Sequence, residues 1–263
     1  TRAAEQHTDA AGFGGVVHLP SPFNDFTHAM VASGYTHFFQ LAASQKKLPW
    51  PVGGNMMYRR EAVGQTRFAV EFGSNGGEEV DFAINVKRQT GQSIIAVPAA
   101  SMQHPWWSNG RPDLSRPLRY SRGNYYLLRR HPAFATLRFC NTPEIICLQL
   151  LFFPLALWLG VHWLYWLLLM AGLLLADAVI HTIKLYYEKG KQAPARVWYS
   201  WLVKMAEQTG YLSICLQKRY IAGLFKRFDI ELTPGRRKHF HTNRWILAKM
   251  AMIFISFLLL CLR

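Results

Sequence analysis

Acidic residues are scarce in this 263-residue chain: 15 Asp and Glu stand against 30 Lys and Arg, a formal charge of +15. Much of the imbalance falls between Lys184 and Lys249, where 14 basic residues meet only Glu188, Glu207, Asp229 and Glu231. Such a block suits an anionic surface, either nucleic acid or lipid. It lies between very apolar stretches and is rich in Trp, Tyr and Leu, which favours lipid. No recognisable nucleic-acid module accompanies it, which argues against nucleic acid as a partner. The four cysteines (Cys140, Cys147, Cys215, Cys261) form no C-x-x-C pair. That argues against a zinc site or a disulfide framework and leaves them as small buried hydrophobes. The first twenty residues contain no apolar run of the kind a secretory signal carries.

Lys, Arg and Glu are also missing from Ile145 to Ile180, a run of 36 residues. One helix of that length would measure about 54 Å, too long for a hydrocarbon core of about 30 Å. A break at Gly160-Val161-His162 gives two spans of about 17 to 18 residues, the low end for crossing. The expectation is a transmembrane helical hairpin over 139–183, with Trp158, Trp163, Tyr165 and Trp166 at the far interface. Basic residues flank both its ends (Arg129, Arg130 and Arg138; Lys184, Lys189 and Lys191) and none lies at the bend. The positive-inside rule then places both ends, and everything before them, on the cytoplasmic face of an integral membrane protein. Asp177 inside the run is read as a paired or snorkelling carboxylate, with a functional one the alternative. Residues 184–245 form a basic amphipathic region. Trp198, Trp201, Leu202 and Met205, then Ile221, Leu224, Phe225 and Phe228, each recur at helical spacing. Gly210 is expected to divide this segment, which would lie in the headgroup plane or pack on the domain as an ordinary helix. A third apolar run, 246–263, would span or embed.

The region 1–138 alternates helices and strands, the pattern of a mixed α/β domain. Thr1 to Gly12 reads as polar and loosely held. A strand is expected over 14–19 and a helix from an N-cap at Asn24 or Asp25 to about Ser44. A connecting loop follows, then a strand over 55–58 and a short turn or helix from Arg59. Apolar Phe68 to Phe72 would pack beneath a site. A helix is expected over 78–90, stopped by Gly91, then a buried strand over 93–97, ended by Pro98. Residues 111–138 are basic and aromatic, with no clear period.

Three polar segments stand out: Gly53-Gly54-Asn55, Glu78-Glu79-Val80-Asp81, and His104 after Pro98-Ala99-Ala100. Three carboxylates at a helix N-terminus suit the dipole there. One of them held in a cleft can act as a general base, or the cluster merely caps the helix. His104 could ligate a metal, or be a surface or hydrogen-bonding residue. Gly53-Gly54 permits close approach of backbone to ligand, or is a plain turn.

In combination and order, Gly-Gly-Asn-x-x-x-Arg-Arg, Gly-Glu-Glu-Val-Asp-Phe and Pro-Ala-Ala-x-x-x-His resemble the second half of family 2 glycosyltransferases, over about Gly14 to His131. The resemblance implies a partial GT-A domain, of the nucleotide-diphospho-sugar transferase kind, followed by membrane helices. It implies a membrane-bound inverting glycosyltransferase that moves a sugar from a nucleotide-sugar donor to a lipid-linked or polysaccharide acceptor. Glu79 falls at the catalytic base, a position usually Asp. Asp81 would orient the helix start beside it, with Glu78 the third catalytic acid. Gly53, Gly54 and Asn55 would line the acceptor side, and His104 would help bind a Mg²⁺ or Mn²⁺ ion. Arg122, in Arg-Tyr-Ser-Arg-Gly-Asn-Tyr-Tyr, would contact phosphate or a lipid headgroup. The family's metal-binding Asp-x-Asp has no counterpart here. The chain is therefore expected to be a C-terminal portion lacking roughly a hundred residues, inactive alone, with most metal ligands outside it. The reading from a different class is a non-catalytic membrane anchor or scaffold with a remnant α/β domain.

Overall fold

The computed structural model describes residues 2–158, 160, 162–232, 240–241, 243–248 and 250–251. In chain order its elements are α1 (Arg2–Gln6), β1 (Ala10–His18), α2 (Asp25–Ala32), α3 (Leu41–Ser44), β2 (Lys47–Leu48), β3 (Met56–Tyr58), α4 (Arg60–Val63) and α5 (Glu78–Thr90). Then come β4 (Ser93–Gln103), α6 (Ser115–Ser121), α7 (Gly123–Arg130), β5 (Ala135–Arg138), α8 (Thr142–Trp158), α9 (Trp163–Lys189), α10 (Pro194–Gln217), β6 (Lys226–Phe228) and β7 (Phe240–His241). The fold is mixed α/β, with one four-stranded sheet and one three-stranded sheet.

In the larger sheet the strand order is β2–β4–β1–β3. β1 runs parallel to β4 and antiparallel to β3, and β2 closes the far edge antiparallel to β4. Ala10 to Val17 are all buried. A strand covered on both faces shows no alternation of apolar and polar residues, and β1 begins four residues earlier than expected for that reason. β4 also exceeds expectation, because Pro98 does not end it. Pairing jumps from Gly14↔Ala96 to Val16↔Ser101, so Pro98 lies in an irregular bulge where its missing N–H costs no ladder hydrogen bond.

The helix expected to run to about Ser44 is three pieces. Asn24 caps α2, its side chain accepting from Thr27 N and Thr27 Oγ1 accepting from Asn24 N. The chain turns at Ser33-Gly34, makes a 3₁₀ turn over His37–Gln40 and resumes as α3. α5 matches its expected bounds, and Gly91 ends it in the left-handed conformation. Phe72 beneath it is completely buried.

The apolar hairpin is present but unequal. α8 has 17 residues and contains Pro154; α9 has 27 and, among the described residues, is the one helix long and apolar enough to cross a membrane. They pack together, with Phe153 against Trp166. Asp177 is paired: Trp201 Nε1 donates to it at 2.9 Å, and Lys204 Nζ lies 3.2 Å from both its oxygens. His181 Nε2 meets Ser200 Oγ at 3.0 Å. The far half of α9 is thereby fastened to α10.

α10 takes the second of its two expected courses and packs on α6 and α2. Gly210 does not divide it. A side chain there would meet Leu118 O at 1.8 Å, so the glycine serves the close approach of α6 rather than a helix break. Gly210→Ala is expected to destabilise the protein by about 1–3 kcal/mol through forced separation of the two helices, read as a lower unfolding temperature; an unchanged one would deny the contact. The second apolar group, Ile221 to Phe228, is not helical throughout: a 3₁₀ turn, Ile221–Phe225, leads into β6, which pairs with β5. The apolar run after Ile246 lies mostly outside the described residues.

Candidate active site

Between the larger sheet, α5, α6 and α10 lies a cleft of about 810 Å³. Glu78, Glu79, Gly53, Gly54 and His104 all line it, so residues up to 51 positions apart in sequence share one cavity. A Cβ added to Gly53 would stand 4.0 Å from Glu79 Cβ; the glycine pair keeps the space before the carboxylate open. Gly76 and Gly77 lead into α5 with φ of +72° and +94°, left-handed values that a larger residue resists. That turn puts the first residues of α5 at the cleft wall.

Burial pushes the Glu79 carboxyl up to about 6, although hydrogen bonds from its own backbone N–H and that of Gly77 pull the other way; the Glu78 charge adds to the rise. A base with that value is ionised near neutrality yet still takes up a proton readily. Glu78 Oε2 has no hydrogen-bond partner among the described residues.

Asp81 points into the interior. It is fully buried, receives Arg130 Nε at 2.6 Å and His131 Nε2 at 2.7 Å, and accepts from Asn85 at 3.2 Å. Burial raises its carboxyl, but the hydrogen bonds from His131 and Arg130 and the Arg130 charge outweigh this and hold it below the usual carboxylate range. Arg88 donates to His131 Nδ1 at 3.4 Å, so Nε2 carries the proton given to Asp81. Asp81 ties α5 to the end of α7 and fixes the helix turn that carries Glu79.

His104 is half-buried against Phe39 and Trp107, and its Nδ1 donates to Pro105 O at 2.6 Å. That contact orients the ring and leaves Nε2 as the acceptor, the arrangement of a metal-ligating histidine. No group of three or more His, Cys, Asp or Glu able to hold a metal occurs among the described residues. His104 therefore fits as one ligand and no more.

Two expected site residues sit elsewhere. Asn55 does not line the cleft; its amide donates to Val16 O at 3.0 Å and Ala100 O at 2.8 Å, closing the β1–β4 bulge. Arg122 does not line it either and donates to Gln217 Oε1 at 2.7 Å. Arg116, Arg119 and Arg122 are each three residues apart. At about 100° per residue each is turned roughly 60° from the one before, so Arg122 falls on the α10 side with Leu118. Arg116 and Arg119 line the cleft instead. Arg116 lies over Trp107 and Tyr120, at 4.9 and 4.7 Å from the ring centroids, and Arg119 Nε has no hydrogen-bond partner among the described residues.

Glu207 of α10 also lines the cleft, and its burial pushes it up to about 7. The sequence carried a signal for it: Ser200, Val203, Glu207, Gly210 and Ile214 share one helical face, and apart from Glu207 all are buried. Arg130 and His131 had no such signal, since only folding brings them to Asp81.

No protein-family model matches this chain, and no curated protein and no solved structure matches it.

Proposed function

We propose that this chain is the acceptor-side part of a membrane-bound inverting glycosyltransferase of the family 2 kind. The supporting observation is the shared cleft: a carboxylate of raised basicity faces a glycine pair, an oriented histidine and two arginines. Glu79 takes the proton of an acceptor hydroxyl. The oxygen forms a bond to the anomeric carbon as the bond to the diphosphate oxygen breaks, with inversion at that carbon. Arg116 and Arg119 offset the charge on the departing nucleoside diphosphate. A Mg²⁺ or Mn²⁺ ion, when bound, would add to that compensation, with His104 as one ligand and the rest outside the chain. α9 holds the cleft beside a bilayer on its cytoplasmic face, where basic residues meet anionic headgroups and a lipid-linked or polysaccharide acceptor is at hand.

The test is release of nucleoside diphosphate by the full-length protein in nanodiscs. It is run over a panel of uridine- and guanosine-diphosphate sugars, with a membrane lipid extract as acceptor. Transfer with at least one donor is expected. Arg119→Ala should raise the donor KM about tenfold or more, the loss of a charged hydrogen bond, while Arg122→Ala leaves it within twofold. No transfer by any donor, with the protein folded, would leave the scaffold reading.

A further inference from the structure

The cleft does not end at the catalytic carboxylate. A second cavity of about 470 Å³ adjoins it, and four residues line both: Ser121, Asn124, Glu207 and Ile230. The chain after the membrane hairpin supplies two of these. Ile230 is fixed by its carbonyl, which accepts from Trp50 Nε1 at 2.8 Å. Glu207 is fixed by α10, itself held by Gly210 against α6 and by Lys204 and Trp201 against Asp177 of α9.

Glu207 is partly buried at this junction and makes no hydrogen bond or ion pair among the described residues. Tyr35 Oη and Arg119 Nε, from the same cleft, are buried with no hydrogen-bond partner among the described residues. Buried polar groups in folded proteins are nearly always satisfied, and unsatisfied ones that converge on a cavity mark where ligand atoms belong. The set has both signs: a carboxylate and the Asn124 amide oxygen accept, whereas a guanidinium, the amide N–H and the phenol donate. At the junction itself a phosphate would be repelled by Glu207, whereas a hydroxyl donates to the Glu207 carboxylate and accepts from the Asn124 amide N–H. The adjoining cavity is walled mainly by polar side chains, Asn141, Gln208, Arg227 and Glu231 among them, which suits a hydrated chain of hydroxyls rather than an acyl chain.

We propose that Glu207 and Asn124 form a second polar subsite that hydrogen-bonds the hydroxyls of a sugar or polyol portion of the acceptor, extending from the cleft into the adjoining cavity. The subsite rests on the glycosyl-transfer reading for its substrate, and assigns to α10 the choice of acceptor.

The experiment compares Glu207→Gln, Glu207→Leu and Asn124→Ala in the full-length protein in nanodiscs. Acceptor KM should rise about tenfold or more in Glu207→Gln, as for loss of a charged hydrogen bond, with donor KM within twofold. Because Gln is neutral and nearly isosteric, that variant should unfold no lower than the wild type. In parallel, saturation-transfer NMR with maltose as a soluble hydroxyl-rich probe should show contact that Glu207→Leu and Asn124→Ala abolish and Glu79→Gln keeps. Transfer with acceptor KM unchanged in Glu207→Gln overturns the subsite and leaves the transferase. Maltose contact that depends on Glu207 in a protein transferring no sugar keeps the subsite and removes the transferase. Maltose contact indifferent to Glu207→Leu, or absent from the wild type, overturns the subsite.

Discussion

Glu79→Gln is expected to lower kcat for sugar transfer by about 10²–10⁴-fold, the usual contribution of a positioned general base, with donor KM little changed. In the wild type the rate should rise with pH through about 6, where the carboxyl ionises. The same substitution has a stability signature of opposite sense to most carboxylates. The folded-state value, about 6, lies above the ordinary glutamate value of 4.5. Below 4.5 both states are protonated and the group has no effect. Between 4.5 and 6 the unfolded chain loses its proton first, so stability falls as pH rises, and above 6 the deficit is complete at about 2 kcal/mol. Glu79→Gln should therefore be more stable than the wild type at pH 8 by about that amount and equal to it at pH 4. Chemical denaturation at the two pH values measures this. Near-normal turnover would remove Glu79 as the base, and equal stability at both pH values would deny its burial.

Asp81→Ala is expected to give the largest stability change. It leaves His131, 2 % exposed, with no acceptor for Nε2–H and uncouples α5 from α7. Removing one partner of a buried, hydrogen-bonded ion pair costs about 3–5 kcal/mol, a drop in Tm of roughly 10 °C for a chain of this size. The Arg130–Glu71 bridge, with both side chains more than a third exposed, offsets little of this. Because the folded Asp81 carboxyl is held low, its contribution is present at neutral pH and lost only as pH falls below about 4. Asp81→Asn, which keeps an acceptor for His131, should lose much less. Activity should fall in Asp81→Ala as the first turn of α5 loosens around Glu79. A Tm within 2 °C of wild type would show that the triad of Asp81, Arg130 and His131 does not hold that turn.

Some of the site was written locally. The helix over Glu78–Thr90 needs only two left-handed glycines before it, a carboxylate-rich first turn and a left-handed glycine after it, all within sixteen residues. That the apolar run must break follows from its length alone. Other features were not local. Arg122 is singled out by the motif around it, but successive arginines along α6 and its C-cap point in different directions, and packing against α10 turns Arg122 to Gln217 while Arg116 and Arg119 line the cleft. Asn55 lies beside the glycine pair in sequence, yet the bulge opposite β1 offers its amide two carbonyls and draws it off the cleft.

Sequence alone determined the composition of this protein: a basic, amphiphilic chain, α/β before residue 139, with an apolar run after it that must break into two helices and a carboxylate-rich helix start. Those properties depend on periodicity, charge and chain length, which are sums over neighbours. Tertiary structure alone decided that Glu79, Gly53 and His104 line one cleft with Arg119 and Glu207, and that Asp81 turns inward to His131. Such placements depend on contacts between residues far apart in the chain, 50 positions for Asp81 and His131, fixed by which helix faces can approach one another, as at Gly210 against Leu118, and no local pattern records them.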